Sequence, residues 1–251
     1  MTDEQDAGGG VRPAREADDH LALALDVSDL DEALRLWRML AGSFAVAKVG
    51  LELFSSAGPA AIGALAAEGA LVFADVKLHD IPSTVARAAR ALAAAGAHLV
   101  TVHACGSEAM VRGAVEGFVE GREKAGNGTP TDSIPAGILA VTVLTSEPRA
   151  PAEVLRERTR LAARSGCAGL VCAAGDLAVV REAAPHMLRV VPGVRLAGVP
   201  AHDQARVATP FEAIREGADL LVVGRSVTSA PVPEEAAAEV VYEVRRAKFG
   251  V

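Results

Sequence analysis

From residue 21 onward, eight short apolar runs recur, each followed by a segment with helical spacing. They are LALALD (21–26), FAVAKVG (44–50), ALVFADVK (70–77), HLVTVHA (98–104), AGILAVTVL (136–144), AGLVCAA (168–174), LRVVPGV (188–194) and ADLLVVG (218–224). The intervening segments include DLDEALRLWRML (29–40), with Leu30, Leu34, Trp37 and Leu40 on one helical face, and IPSTVARAARALAAAG (81–96), opened by Pro82. A strand that is apolar throughout is buried on both faces, and such strands alternating with helices imply a parallel sheet. Eight units of this kind predict an α/β chain folded as a single-domain (β/α)8 TIM barrel over residues 20–251. An open doubly wound sheet is the competing topology, but the first strand is not followed by G-x-G-x-x-G.

Composition narrows the class further. Hydrophobic residues make up 51% of the 251-residue chain but aromatics only 3%, so alanine-rich helices should pack closely on a Val/Leu/Ile core. The net charge of −7 argues against a general nucleic-acid or anionic-membrane binder, while leaving room for a local basic pocket. No run of about 18 apolar residues reads as a membrane span. Cys105, Cys167 and Cys172 form no C-x-x-C pair, so neither a disulfide framework nor a zinc site is indicated. They read as small packing residues in a reducing cytosol. Residues 1–19 are acidic and glycine-rich without an apolar core, which predicts a disordered tail rather than a signal peptide, and hence a cytoplasmic protein. GNGTPTDS (126–133) reads as a surface loop, and His20 and His186 as surface residues.

In such a barrel the chemistry gathers where strands end. Strand one ends in Asp26 and strand two in Lys48; strand three carries Asp75 and Lys77, and strand four ends in His103. Strand five has Thr142 and then Thr145, strand seven runs into Pro192 to Arg195, and strand eight ends in Gly224-Arg225-Ser226. Asp75 and Lys77 are two apart, so strand alternation puts both on one face, with Val76 toward the helices. Asp80 follows at the turn, and Lys48 on the neighbouring strand reaches the same rim. The result is an alternating Lys–Asp–Lys–Asp array, in which opposite neighbours favour the charged form of each group. An ammonium held between carboxylates can protonate a carbanion. His79 alternates away from Lys77 and reads as support. At the opposite pole, Gly224 permits close backbone approach and Arg225 supplies a phosphate donor, with Gln204 in the long loop 193–209 as an additional one. Two such poles on one rim fit a substrate with a phosphate at one end and a reacting acid at the other.

DVKLHDIPST (75–84) closely resembles the D-x-K-x-x-D-I-P-N-T signature of the orotidine 5′-phosphate decarboxylase family. The resemblance runs from about Leu21 to the last helix, through LALALD, AKVGLELF, TVHACG, AVTVLTS, PGVR, DQARVATP and GADLLVVGRSVT in the expected order. It implies decarboxylation of orotidine 5′-phosphate to UMP, with no metal and no organic cofactor. By the same resemblance, Lys77 is the proton donor to C6 of the pyrimidine, flanked by Asp75 and Asp80, and Lys48 holds the array and contacts the ribose. Asp26 and Thr84 bind ribose hydroxyls, Thr145 lies near the base, and Arg195, Gln204, Gly224 and Arg225 serve the phosphate. The resemblance also implies a homodimer in which Asp80 and Thr84 reach into the partner's site, and the loop from Arg195 to Thr209 is a candidate lid. Ser83 stands where the family usually has Asn. Two alternatives differ in kind. Magnesium-dependent sugar-phosphate decarboxylases and hexulose-phosphate synthases share D-x-K-x-x-D but place an acid at the Lys48 position, where a lysine opposes a cation. A non-catalytic phosphoribosyl-binding barrel would not need the charged array.

Overall fold

The computed structural model describes residues 18–126, 134–147, 150–196 and 207–250. Its strands are β1 (Leu21–Leu25), β2 (Val46–Val49), β3 (Leu71–Leu78), β4 (Ala97–His103), β5 (Gly137–Val141), β6 (Gly169–Val171), β7 (Leu188–Val191) and β8 (Leu220–Val223). Each pairs in parallel with the next, and β8 pairs with β1 to close the barrel. Helix α1 (Leu30–Leu40) follows β1; α2 (Leu51–Ala57) and α3 (Pro59–Ala67) follow β2; α4 (Pro82–Ala94) follows β3; α5 (Glu108–Lys124) follows β4. Then come α6 (Ala152–Arg164), α7 (Leu177–Ala183), α8 (Pro210–Glu216), the single turn α9 (Arg225–Thr228) and α10 (Pro233–Phe249). The predicted (β/α)8 barrel is therefore the observed architecture.

Period-two alternation divides the strand residues into two layers. Ala22, Ala24, Val46, Phe73, Leu99, Leu139, Val141, Val171, Leu188, Val190, Leu220 and Val222 pack together inside the barrel. Leu21, Leu23, Leu25, Ala47, Val49, Val72, Val100 and Leu221 face outward and join the helices in a second, larger core. The inner layer fixes what lies above it. Two residues beyond Ala24, Val46, Phe73 and Val222 come Asp26, Lys48, Asp75 and Gly224, so the polar residues of the mouth continue the inward-facing rows.

Small residues set the packing of α4 on α5. A Cβ added at Gly117 would lie 2.0 Å from the Ala86 carbonyl oxygen, and one at Gly121 only 2.3 Å from that of Arg90. At Gly113 the nearest atom would be the Pro82 carbonyl oxygen, at 3.0 Å. Glycine every fourth residue thus lets α5 lie directly on the α4 backbone, and the contact reaches the first residue of α4, just after the charged stretch. The alanine-rich, aromatic-poor composition has its structural expression here.

Some expectations need correcting. His20 is buried, its Nδ1 2.7 Å from the Asp219 carbonyl oxygen at the closed end of the barrel, rather than on the surface. The partner is 199 positions away, out of reach of local sequence patterns. Cys105 is exposed, not packed, whereas Cys167 and Cys172 are buried. Strand β5 stops at Val141; Thr142 turns its hydroxyl to the Val171 carbonyl, 3.0 Å away. Helix α2 was not anticipated. It runs to Gly58, whose φ of 61° is open to glycine and separates α2 from α3. Of the tail predicted over residues 1–19, residues 1–17 lie outside the described residues, as does most of the loop prediction, 127–133, while Asp18–His20 form a 3-10 turn leading into β1. Among the described residues, no helix is long and apolar enough to cross a membrane.

Candidate active site

A cavity opens at the C-terminal mouth of the barrel. Its polar lining comprises Asp26, Lys48, Asp75, Lys77, Thr145, Arg195 and Arg225, with the backbone of Gly193 and Gly224. Its floor is the top of the inner core: Ala24, Phe73, Val141, Val171 and Val222. Thus seven of the eight strands, or the turns just after them, contribute to one concave surface whose charges stand on an apolar base. Against such an apolar base, charges interact more strongly than they would in bulk solvent.

Two ion pairs organise the acidic side. Lys48, largely buried, places Nζ 2.9 Å from Asp26 Oδ1. Gly50 makes room for this pair, since a Cβ there would lie 2.7 Å from Asp26 Oδ1 and 2.9 Å from Lys48 Nζ. Lys77 Nζ donates to Asp75 Oδ2 at 2.9 Å. The alternating four-charge array expected within one chain is thus resolved into two pairs, with Lys48 turned to Asp26. Asp80 and Thr84 do not line the cavity. Asp80 is exposed, and its Oδ1 accepts from the Ile81 backbone N–H at 2.6 Å. Thr84 is half-buried on the first turn of α4, where its hydroxyl accepts from Arg87. Exposed Ile81 and Ser83 stand beside them on the same outer rim.

Lys77 reaches the cavity through an irregular backbone. Its φ is +51°, and no other non-glycine residue among those described has a positive φ. A left-handed conformation at a long side chain costs on the order of 1–3 kcal/mol and must be held by its surroundings. The cause is a register break: Ala74 pairs with Val100 and Leu78 with Val102, so the three residues Asp75, Val76 and Lys77 oppose Thr101 alone. Simple alternation placed Asp75 and Lys77 on one face; a β-bulge brings them together instead, and bulges commonly re-aim a side chain beside an active site. Thr101, absent from the sequence-level candidates, accepts from the Lys77 backbone N–H at 2.8 Å and donates to Asp75 Oδ1 at 3.0 Å. Its only sequence signal was a polar residue inside the apolar run HLVTVHA.

The basic side lies across the mouth. Arg195 is buried after β7, and Arg225 is exposed at the start of α9. Gly224 sits close to β1, where a Cβ would meet that of Ala24 at 3.3 Å. Since α9 has only four residues, its helix dipole is slight, and the guanidinium groups supply most of the positive charge. Gln204 lies outside the described residues, as does most of the expected lid, 197–206. Thr145 lines the wall between the two poles. Below it, Arg158 of α6 donates to the Thr142 carbonyl at 2.6 Å and ties down the end of β5.

Beside β3, the His79 and His103 rings meet edge to face at 5.7 Å, and Cys105 Sγ lies 4.0 Å from His79 Nδ1. Burial lowers the His103 pKa below the ordinary value, and the neighbouring His79 and Lys77 lower it further. These effects favour the neutral form of His103. Among the described residues, no three of His, Cys, Asp and Glu converge as a metal-binding group.

The sequence matches the model of the Orotidine 5′-phosphate decarboxylase / HUMPS family over residues 19–240. The chain belongs to that family. An orotidine 5′-phosphate decarboxylase from Anaeromyxobacter sp. (strain K) is 46% identical over 230 residues, covering 87% of this chain and 95% of the relative. One from Moorella thermoacetica (strain ATCC 39073 / JCM 9320) is 42% identical over 244 residues, covering 92% and 94%. The crystal structure of orotidine 5′-phosphate decarboxylase from Lactobacillus acidophilus is similar to this fold with a TM-score of 0.73 at 32% identity, covering 89% of this chain and 98% of that one. The orotidine 5′-phosphate decarboxylase / HUMPS match spans β1 to α10, so the cavity lies wholly within the matched region.

Proposed function

We propose that this protein decarboxylates orotidine 5′-phosphate to UMP and carbon dioxide, without a metal or organic cofactor, at the mouth of the barrel. The observation that carries the proposal is the Asp75–Lys77 pair, re-aimed by the β3 bulge into a cavity whose far side presents Arg195 and Arg225. In the reaction the bond from C6 to the carboxylate breaks, its electron pair stays on C6, and carbon dioxide leaves. The Lys77 ammonium then delivers a proton to C6, and the resulting amine recovers one from water. A fixed cation where negative charge develops stabilises the transition state more than the ground state. Asp75 holds that cation and faces the departing carboxylate. Lys48 and Asp26 bind the ribose, Thr145 lies against the base, and Arg195, Gln204, Gly224 and Arg225 hold the phosphate, whose remote binding energy positions the ring. Lys48 presents an ammonium where the magnesium-dependent relatives need a carboxylate, which favours the metal-free reaction.

The active unit is a homodimer in the cytoplasm. The placement of Asp80 and Thr84 supports this: neither lines its own chain's cavity, and both flank the exposed Ile81 at the start of α4. Each subunit lends these two residues to its partner's ribose and to the partner's Lys77.

Turnover in D2O tests that C6 is protonated after carbon dioxide leaves, and the Lys77 variant tests the donor. The UMP formed should carry deuterium at C6, read by mass spectrometry. Lys77→Ala should form no UMP while still binding it, and Arg225→Ala should weaken UMP binding by about tenfold or more. A Lys77→Ala protein within about tenfold of normal turnover contradicts the assigned donor.

A further inference from the structure

We infer that Thr101 is a positioning residue for catalysis: its single hydroxyl locks the β3 bulge and fixes Lys77 relative to Asp75. The inference rests on the decarboxylase reading of the same site. Thr101 is on β4, fully buried, and does not line the cavity. It is the one β4 residue opposite Asp75, Val76 and Lys77, where the regular backbone ladder of a parallel pair is interrupted. There the side chain takes over what the backbone cannot supply. Thr101 Oγ1 accepts the Lys77 N–H at 2.8 Å, and its one hydroxyl hydrogen goes to Asp75 Oδ1 at 3.0 Å.

The two bonds have different consequences. The first anchors Lys77 in its left-handed conformation, which a side chain of this length does not adopt unaided. The second occupies Asp75 Oδ1 and turns Oδ2 toward Lys77 Nζ, 2.9 Å away. Both members of the reacting pair are therefore referenced to one atom that solvent does not reach. Removing that atom leaves a donor and an acceptor to find new partners and frees the bulge to relax. The phosphate end, on β7 and β8 across the barrel, is untouched. The expected signature is lost turnover with retained binding, because the group at fault acts on the geometry of the pair and not on the substrate.

The test compares Thr101→Val, which keeps the shape without hydrogen bonding, with Thr101→Ser, which keeps the hydroxyl. Wild type is assayed on orotidine 5′-phosphate alongside, UMP affinity is measured by calorimetry, and folding by circular dichroism. Thr101→Val should lower kcat by about 100-fold with KM and UMP affinity within about threefold of wild type. Thr101→Ser should restore most of kcat. If Thr101→Val does not fold, Thr101→Cys takes its place, with reduced kcat at unchanged UMP affinity again expected. A Val or Cys variant with normal kcat, a Ser variant as impaired as Val, or equal losses of kcat and UMP affinity would each overturn the inference. Wild type that leaves orotidine 5′-phosphate unconverted would instead reject the decarboxylase reading beneath it.

Discussion

Lys77 and Thr101 show where local pattern stops being informative. A lysine two residues after an aspartate at a strand end points to a charged pair, and the pair forms at 2.9 Å. That it forms through a bulge and a φ of +51° depends on the register against β4, which no short stretch encodes. His20 makes the same point, since its burial comes from Asp219 at the opposite end of the chain. The cysteines divide by environment. Burial pushes the Cys167 thiol up to about 12, whereas Cys105 is exposed beside His79. A thiol-specific reagent should therefore label one cysteine per native chain, Cys105, and leave Cys167 and Cys172 unreacted until the protein unfolds. Labelling of Cys167 in the native protein would contradict its placement. Burial also gives Cys167 a pH signature. Its folded pKa lies above the unfolded 9.0, so the neutral thiol favours folding below that value and this contribution fades as pH rises toward about 12. Denaturant titrations of wild type and Cys167→Ala should diverge in slope across that window.

Elements were read more securely than their edges. All eight strands appear where the apolar runs put them, because a strand covered on both faces is apolar over most of its length. Ends were less legible: β5 stops three residues short of its apolar run, and α2 fills a stretch with no element assigned from sequence. Helix contacts were legible only as composition. Glycine at 113, 117 and 121 was a spacing without a partner until α4 was seen lying against it. Gly117→Ala should destabilise the protein by about 1–3 kcal/mol, since its methyl would meet the Ala86 carbonyl in a well-packed contact. Thermal melts of this variant read the effect; an unchanged Tm would mean the two helices part without penalty.

At the scale of the molecule, the barrel converts strand order into a site. Residues as distant in sequence as Asp26 and Arg225 meet at one mouth because β8 closes on β1. Asp80 and Thr84 do not line that cavity within one chain, and under the proposed homodimer a second copy would supply them. Mixing two inactive variants tests this. When Lys77→Ala and Asp80→Ala subunits are unfolded together and refolded, half the dimers are mixed, and each holds one intact site if Asp80 crosses the interface. About a quarter of wild-type activity should return. A mixture that stays inactive while forming dimers places Asp80 in its own chain's site.

Conversion of orotidine 5′-phosphate by the purified protein tests the central claim most directly. Consumption of substrate with release of equimolar UMP and carbon dioxide, at the same rate with and without EDTA, is the predicted result. No conversion, or conversion abolished by EDTA, would contradict a metal-free decarboxylase built on Asp75 and Lys77.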